Sequence, residues 1–502
     1  MTEKSTSKDQ IIQELREINE SLIKDNKKLQ ERVDYLIRQL FGRKSEKLDP
    51  AQMRLLLGLD EEPVLEEDPD DDPPPTTPGP KRKRRQARDR LPEDLPVRTE
   101  YIDPPEVTAD PKSYSCIGEE IRTELSMTHP FYFQKKTVRR RYVKITDRSL
   151  PPVIVPAQPQ LIENCIVSQE ILIDIILKKY TEHLPLYRQA QTLQRRYGIE
   201  LSYKSMSGWM MNIGNWLELI VGYMREEICA SGYLQADETC IKYIEPGTGV
   251  AQSGYLWVYH APKTGVVFEW HCGRGAECLR PMLKDYSGDL QCDGYQAYRT
   301  FNLSREEEKR YRLYGCWSHT RRYFFNAKND SLLASEILLK IKALYRIETS
   351  LRKENASPEQ RVAKRNAESK GILDDIHSSI EKAQHNQLPQ SLTGKAISYT
   401  LKRWGDLIGY IDAGHVEIDN NLVENCIRPT AIGKKNWMFF GSPDSGKYSA
   451  AIFSILETCR KLEVDQALYL HDVLSQLPNI TAEEARDLTP ARWLAKRAKA
   501  VA

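Results

Sequence analysis

The chain has 502 residues, 40% of them hydrophobic, which is enough for two to four domains with buried cores. Its 73 Lys and Arg nearly balance 71 Asp and Glu, so the net charge of +2 identifies no class of partner. The 10 cysteines include no C-x-x-C pair, which argues against a zinc ribbon and a disulfide scaffold. The first residues carry no apolar signal region, and the apolar runs are too short and charged to span a membrane, so we expect a cytoplasmic protein.

The first predicted element is a coiled coil over residues 8–48. Two series of residues recur every seven positions. The first series is Leu15, Leu22, Leu29 and Leu36, and the second is Ile12, Asn19, Asn26, Val33 and Leu40. These are the d and a positions of a two-stranded coiled coil, in which Asn at an a position favours a dimer. The alternative is a lone amphipathic helix packed on its own domain. Four consecutive heptads favour the coiled coil, and with it a homodimer or a larger complex.

Residues 49–90 are predicted to be a linker. Residues 60–80 are acidic and proline-rich, so they cannot bury enough apolar surface to fold. Residues 81–90, KRKRRQARDR, are the most basic run of the chain. Its candidate DNA-binding residues are Lys81, Arg82, Lys83, Arg84 and Arg85. Each phosphate that they neutralise would release condensed counterions, although such runs are also found as solvated tails.

Residues 91–165 are predicted to form a small β-rich module. The run FYFQKKTVRRRYVK alternates aromatic and basic residues, which predicts a strand with one exposed basic face. That face either lines a nucleic-acid surface or is simply solvated, and the pattern favours neither alternative.

Residues 166–228 carry the pattern of a helix-turn-helix. A helix is predicted over 187–197, followed by a turn at Gly198, an N-cap at Ser202 and a second helix from about residue 203. Tyr203, Lys204 and Ser207 would then face a DNA groove. The pattern by itself is only moderately specific for DNA binding.

Residues 229–450 are predicted to form a ribonuclease-H-like domain. The stretches SGYLQADETCIKYI, SGYLWVYHA and GVVFEWHCG indicate three successive strands. A predicted helix follows them, and a fourth strand is predicted in GDLQCD, ending at Asp293. Asp237 is on the first of these strands, and this strand order places the first and fourth strands side by side. Carboxylates at such positions need an explanation, because burying them is costly unless they are paired or bind a metal.

A third carboxylate is expected on a later helix, in HVEIDNNLVENCIRPTAIGKKNW. Asp419 is a plausible N-cap, which would place Glu424 in the second turn and Arg428 on the same face. Lys434 and Lys435 are predicted to follow in a loop. The long interval between the second and third carboxylates is rich in amphipathic helix, which predicts a helical insertion at about 325–410.

The stretch GSPDSGKYS, residues 441–449, approaches the phosphate-binding pattern G-x-x-x-x-G-K-[ST]. That pattern needs a hydroxyl directly after the lysine to bind Mg²⁺, and Tyr448 holds its oxygen too far from the backbone. Pro443 and Asp444 suit an ordinary turn, so we expect a surface turn before a helix and no ATP site. A C-terminal helical element is predicted over 451–502.

Several motifs, in this order, resemble the large transposase of the insertion-sequence-66 family over nearly the whole chain. They are FGRKSEKL, LQADET, CDGYQAY, GCWSHTRRYF, ALYRIE, RWGDLIGYIDAGHVEIDNNLVENCIRPTAIGKKNWMFFGS and ALYLHDVLSQLP. The resemblance implies a multidomain α/β protein of the bacterial cytoplasm with a ribonuclease-H-like core. It also implies an Asp-Asp-Glu triad, which falls on Asp237, Asp293 and Glu424.

The resemblance further implies Mg²⁺ or Mn²⁺ bound to the triad, and metal-dependent cleavage and transfer of DNA strands. The implied partners are the terminal repeats of the element, target DNA and, in some systems, small accessory proteins. His319, Arg321 and Arg322 would hold phosphates near the metals, although His319 is equally well explained as a structural histidine. Many relatives carry a zinc module with two C-x-x-C pairs, but only Cys116 remains here, so zinc is not expected.

Two other functions are weighed against this one. A DNA-binding regulator without catalysis would explain the coiled coil, the basic run and the helix-turn-helix, but not the three carboxylates. A nucleotide-driven ATPase would explain only GSPDSGK. Metal-dependent strand cleavage separates a transposase from a regulator, and a nucleotide-binding assay separates it from an ATPase.

Overall fold

The computed structural model describes residues 132–133, 141–142, 153–154, 160–163, 165–329 and 331–501. The chain divides into two units, Met1–Thr137 and Val138–Ala502, and nearly all described residues belong to the second. The coiled coil predicted for 8–48 and the linker predicted for 49–90 lie outside the described residues, as does most of the module predicted for 91–165.

The second unit is of the mixed α/β class, as predicted, and is mostly helical. Its described α-helices, in chain order, are α1 Gln169–Tyr180, α2 Leu186–Tyr197, α3 Tyr203–Ala230, α4 Arg280–Leu283, α5 Gln296–Leu303, α6 Trp317–Ala327, α7 Leu332–Lys353, α8 Pro358–Lys364, α9 Lys370–Gln384, α10 Leu392–Lys402, α11 Trp404–Ile408, α12 Asn421–Trp437, α13 Pro443–Lys461, α14 Gln466–Gln476 and α15 Pro490–Val501. None of these helices combines the length and the apolar character that crossing a lipid bilayer would require.

Eight strands are described, and six of them form one mixed sheet. They are β1 Arg141–Tyr142, β2 Val153–Ile154, β3 Tyr233–Ile244, β4 Ala251–Ala261, β5 Gly265–His271, β6 Asp289–Gln291, β7 Arg312–Tyr314 and β8 Phe439–Phe440. The sheet order is β5-β4-β3-β6-β7, and β8 pairs with the far end of β3, while β1 and β2 form a separate antiparallel pair. Strands β3, β4 and β5 are antiparallel neighbours, whereas β6 and β7 run parallel to β3.

This sheet follows from the connections between its strands. Short turns suffice to join the antiparallel strands, and the turn between β4 and β5 contains Lys263 with φ 70°. A parallel neighbour needs a crossover, and the segment between β5 and β6 supplies a 3₁₀ turn and helix α4. Leu234 and Ala236 of the central strand β3 are fully buried, as are Leu256, Val258 and other residues of β4. The first three predicted strands are therefore confirmed, while the fourth ends at Gln291, two residues before Asp293.

Helices α2 and α3 match the two predicted helices. Gly198 ends α2 with φ 65°, a backbone angle that glycine adopts without steric cost, and the Ser202 hydroxyl accepts a hydrogen bond of 3.2 Å from the Lys204 amide. Met206 and Trp209 are buried on the inner face of α3. Helix α3 extends to Ala230, so the domain boundary predicted at 228/229 lies inside it.

The stretch GSPDSGKYS is not a surface turn but the start of α13. Ser442 is the N-cap, and Pro443 and Asp444 lie in the first helical turn. Gly446 packs so closely against the Trp270 ring that a Cβ atom there would lie 2.4 Å from it. Lys447 forms an ion pair of 2.7 Å with Glu218. These residues therefore do not form a phosphate-binding loop, and the boundary predicted at 450/451 falls within a continuous helix.

Helices α7 to α11 occupy the region predicted as a helical insertion. All of them except α8 contribute, together with α6, to one apolar core, which includes Ile337, Ile341, Leu344, Leu373, Ile376 and Ile380. A fully buried ion pair crosses this core, in which Arg365 Nε lies 2.8 Å from Glu348 Oε1. Arg365 lies in a π-helical turn between α8 and α9, and it also donates to the carbonyls of Tyr410, Ala413 and Val416. The pair thus joins α7 to the segment that precedes α12.

Two buried glutamines connect the sheet to the start of α12. Gln235 on β3 and Gln291 on β6 are paired residues in the sheet, and the Gln235 amide donates to Gln291 Oε1 at 2.9 Å. Gln235 also donates to the Asp419 carbonyl at 2.9 Å and accepts from the Val423 amide at 3.1 Å. Gln291 donates to the Glu417 carbonyl at 2.8 Å. Residues 417–423 are therefore held by both central strands.

Replacing Gln235 should loosen the start of α12. We expect Gln235→Leu to lower the free energy of unfolding by about 1–3 kcal/mol, because it leaves the buried Val423 amide and Asp419 carbonyl without this partner. It should also accelerate amide hydrogen exchange at Val423, measured by mass spectrometry of the peptide that contains it.

Gln189→Leu is the matched control, because Gln189 is also buried and hydrogen-bonded but lies on α2. It should destabilise the protein without changing exchange at Val423. Equal exchange at Val423 in both variants would show that Gln235 does not hold this segment.

Candidate active site

Asp237 is the fifth residue of β3 and directly follows four buried residues of that strand. Its Oδ1 accepts a hydrogen bond of 2.8 Å from the backbone amide of Glu238. Burial raises the pKa of Asp237 well above its ordinary value, and the negative charges of Asp293, Glu238 and Glu424 raise it further. Two carboxylates from other elements therefore act on this side chain at short range.

Asp293 lies two residues beyond β6, in a loop that the helical insertion holds. Its Oδ1 accepts from the Tyr295 amide at 2.7 Å, and its carbonyl accepts from the Tyr399 hydroxyl at 2.5 Å. Gly294 has φ 84°, and Arg403 donates to its carbonyl at 2.7 Å. The Arg403 side chain occupies the space where a Cβ of residue 294 would be, so glycine is required there.

Glu424 lies in the first turn of α12, not in the second as predicted. The predicted N-cap was wrong by one residue, because Asn420 is the N-cap and the helix begins at Asn421. Burial raises the pKa of Glu424, and the charges of Asp419 and Asp293 add to this effect, whereas Arg322 opposes it. The Glu424 Oε1 atom is buried and has no hydrogen-bond partner, and the same is true of both polar side-chain atoms of Asn420.

Two nearby carboxylates have several partners within the protein. Glu238 is bound by Arg274, whose Nε lies 3.0 Å from Oε1, and by the Tyr298 hydroxyl at 3.1 Å. Asp419 accepts from the Tyr345 hydroxyl at 2.7 Å and from both the backbone and the side chain of Asn421. Burial nevertheless raises the pKa of both carboxylates.

His319 lies beside the third carboxylate. Its Nδ1 atom is 3.6 Å from Glu424 Oε1 and 3.3 Å from Cys316 Sγ, and these three residues form a group that has the geometry to share a metal ion. Burial lowers the pKa of His319, so the ring is neutral near pH 7. Burial also raises the pKa of the Cys316 thiol of the metal-free chain. A bound metal ion would itself favour the thiolate, so this group stays a candidate metal site that shares Glu424 with the predicted triad.

The cations expected to bind DNA divide into three groups. Arg322 is exposed and lies 3.8 Å from Glu424 Oε2, and Arg428 acts on the pKa of the same carboxylate. Arg321 lies over the Phe325 ring, 5.7 Å from its centroid. Lys434 and Lys435 are not in a loop but in the last turn of α12, where Lys434 binds Thr239 and the Cys240 carbonyl of β3.

The other predicted DNA-binding residues lie on different parts of the chain. Tyr203 and Lys204 are exposed and Ser207 is half-buried on the first turns of α3. The basic run from Lys81 to Arg85 lies outside the described residues.

Several residues that position the carboxylates were missed in the sequence. Gln235 and Gln291 each precede an aspartate by two residues, with Asp237 on the same face of β3 as Gln235 and Asp293 in the loop directly after β6. This shared spacing was a usable signal. Tyr345, Tyr399 and Arg403 had no such signal, because their partners are at least 70 residues away in the chain.

Comparison with known proteins supports the family indicated by the motifs. A family profile described as "Transposase IS66 family" matches residues 164–448, which is more than half of the chain and contains all three carboxylates. A second profile, described as "Transposase C of IS166 homeodomain", matches residues 28–99. It overlaps the predicted coiled coil and the linker with its basic run.

Relatives in Sinorhizobium fredii extend the similarity to the whole chain. One, the uncharacterized protein y4qI, is 31% identical over 395 residues, which cover 76% of this chain and 72% of that protein. Another, the uncharacterized protein y4jD, is 27% identical over 497 residues, which cover 93% of this chain and 94% of that protein. With its sheet, its three carboxylates and these matches, the chain belongs to the IS66 family of transposases.

Proposed function

We propose that this protein is an Asp-Asp-Glu transposase that cleaves and joins DNA strands with Asp237, Asp293 and Glu424 in a ribonuclease-H-like core. The observation that carries the proposal is the register of the sheet. Gln235 and Gln291 are paired, each aspartate lies two residues beyond its glutamine, and Gln235 also holds the amide of Val423, next to Glu424. The order β5-β4-β3-β6-β7, with three antiparallel strands followed by two parallel ones, agrees with such a core.

The three carboxylates fit divalent cations such as Mg²⁺ or Mn²⁺. Oxygen ligands suit these ions, and the mutual repulsion of the carboxylates, which raises the pKa of Asp237, would be relieved by a bound cation. The unpartnered Oε1 of Glu424 offers a further ligand atom. When bound, such ions stabilise the charge that develops on the attacking and leaving oxygens of a phosphodiester. Asp237, Asp293 and Glu424 would hold them.

Other side chains of the site act on the DNA and on the third carboxylate. Arg322 and Arg428 place positive charge beside Glu424, where they would attract the phosphate next to the bond that is cut. Burial lowers the pKa of His319, and its Nδ1 contacts Cys316 Sγ, so we assign His319 a structural role rather than the binding of phosphate by charge. A regulator without catalysis would have no use for three converging carboxylates.

DNA recognition is assigned to two separate segments. The basic run at 81–90 would bind phosphates of any sequence, and Tyr203, Lys204 and Ser207 at the start of α3 would contact base edges. The exposed position of Lys204 and the helix-turn-helix spacing of α2 and α3 support this assignment.

Amide substitutions of the triad test the catalytic assignment. Asp237→Asn, Asp293→Asn and Glu424→Gln should each reduce metal-dependent nicking of a plasmid that carries the element ends by roughly 10³-fold or more, because each removes a metal-binding charge. Binding of the same DNA should change little.

Asp419→Asn is the matched control, because asparagine can still accept from Tyr345, and this variant should nick DNA nearly as well as the wild type. An inactive Asp419→Asn protein together with an active Glu424→Gln protein would show that the third carboxylate is wrongly assigned.

The stability of the metal-free protein should depend on pH through Asp237. The raised pKa means that the folded chain holds this proton more tightly than the unfolded chain, so the contribution of Asp237 to stability falls as pH rises towards the raised pKa. At pH 8, Asp237→Asn should therefore raise the thermal unfolding temperature of the metal-free protein. It should also reduce the further gain that Mg²⁺ gives the wild type.

Glu238→Gln is the control on the neighbouring residue. It removes the ion pair with Arg274 together with a buried charge, and burial raises the pKa of Glu238 too, so the unfolding temperature should change less than in Asp237→Asn. If both variants lowered the unfolding temperature, the charge of Asp237 would not be destabilised by the neighbouring carboxylates, and it would not need a bound cation.

The two DNA-binding segments should differ in their salt dependence and specificity. Deleting residues 81–90 should weaken binding to all DNA sequences alike and flatten the dependence of affinity on salt. Lys204→Gln should instead reduce the preference for terminal-repeat DNA over random DNA, and Lys382→Gln on α9 should do neither. Electrophoretic mobility shifts at several salt concentrations measure all three, and a sequence-specific loss from the deletion would contradict this division.

A further inference from the structure

Helix α7 carries an open groove of about 470 Å³ on its outer surface. Lys342, Arg346, Thr349 and Lys353 line it, and their spacings of four, three and four residues place them in one stripe along the helix. The stripe is about 16 Å long, since each residue of an α-helix adds about 1.5 Å. This length is close to half a turn of B-DNA.

The cations of this groove differ from the arginines packed beneath it. Arg352, Arg361 and Arg365 all form ion pairs, with Glu348 or Glu417. In the described part of the chain, by contrast, no carboxylate lies within ion-pair distance of the three cations of the groove.

The single carboxylate that lines the groove does not compensate these cations. Glu354 is bound by Lys364, whose Nζ lies 3.1 Å from Oε1, and by the Ser350 hydroxyl. The groove therefore presents three uncompensated positive charges and a threonine hydroxyl in one row. Surface charges of this kind are normally interspersed with charges of opposite sign.

The groove also lies next to the proposed active site. Tyr345 lines the groove, and its hydroxyl donates to Asp419, five residues before Glu424. Helix α6, which carries His319 and Arg322, packs against the same helix α7. Asp419 itself is buried, so Tyr345 is the side chain that connects the groove with this edge of the site.

We propose that this groove binds the phosphate backbone of duplex DNA and guides the strand towards Glu424. The proposal rests on the proposed function, since an enzyme that cuts DNA must hold the duplex on the side from which it enters. Lys342, Arg346 and Lys353 would each neutralise a phosphate, and Thr349 would donate a hydrogen bond to one. Such contacts carry no base specificity, so this surface would serve element ends and target DNA alike.

The test compares two triple variants of the full chain that lose the same charge. The groove variant combines Lys342→Gln, Arg346→Gln and Lys353→Gln. The control variant combines Lys370→Gln, Lys382→Gln and Lys395→Gln, which replace three exposed lysines outside the groove. Affinity for a mixed-sequence duplex of about 30 base pairs is measured over a range of salt concentrations. The groove variant should lose at least about tenfold in affinity at about 0.1 M salt, and its log–log salt slope should fall by about 2–3. The control variant should keep the wild-type slope.

A crosslink provides a second measurement that does not depend on removing charge. The variant Thr349→p-benzoylphenylalanine should crosslink to the duplex on irradiation, and the same residue placed at Lys382 should not. A wild-type salt slope in the groove variant, or equal crosslinking at both positions, would overturn the proposal.

The two proposals fail in different ways. A wild-type protein that binds the plasmid with the element ends but never nicks it in the presence of Mg²⁺ would refute the proposed function, while the slopes and crosslinks would still report on the groove. Metal-dependent cutting by the wild type, together with unchanged slopes in the groove variant, would refute the groove alone.

Discussion

The central constraint of this structure is the desolvation of carboxylates on one strand. Asp237 and Glu238 are neighbours on β3 and therefore point to opposite faces of the sheet. On one face, Arg274 and Tyr298 neutralise Glu238. On the other face, Asp237 meets further carboxylates and receives only one backbone hydrogen bond. Burying such a charge is costly, and a carboxylate with a strongly raised pKa beside other carboxylates is a candidate for a functional site.

The geometry of that charged cluster depends on neutral hydrogen bonds rather than on ion pairs. Gln235 and Gln291 use the donors and acceptors of their amides to join β3, β6 and the segment before Glu424. A neutral amide can be buried once its hydrogen bonds are made, and it adds no charge that would compete for a cation. The positions of the carboxylates are thus set by groups that leave their charge unchanged.

The helical insertion takes part in the site rather than merely interrupting the domain. Tyr399 and Arg403 hold the loop of Asp293, and Tyr345 holds Asp419. Arg365 fixes the chain just before α12 by binding three of its carbonyls. Removing the insertion would therefore release both the second and the third carboxylate, although its residues lie between them in the sequence.

Local pattern alone was enough for much of this protein. Alternation identified β3, β4 and β5, and the pair Gly198 and Ser202 identified the ends of α2 and α3, because strand periodicity and helix caps depend on neighbouring residues. The motifs indicated the three carboxylates.

Local pattern failed at Asp419 and at GSPDSGKYS, where a cap shifted by one residue and a helix began early. There, Tyr345 and the Trp270 ring, which are remote in sequence, determine the local structure. Which partners hold the neighbouring carboxylates was decided only by the tertiary structure, because Arg274 is 36 residues from Glu238 and Tyr345 is 74 residues from Asp419 in the chain.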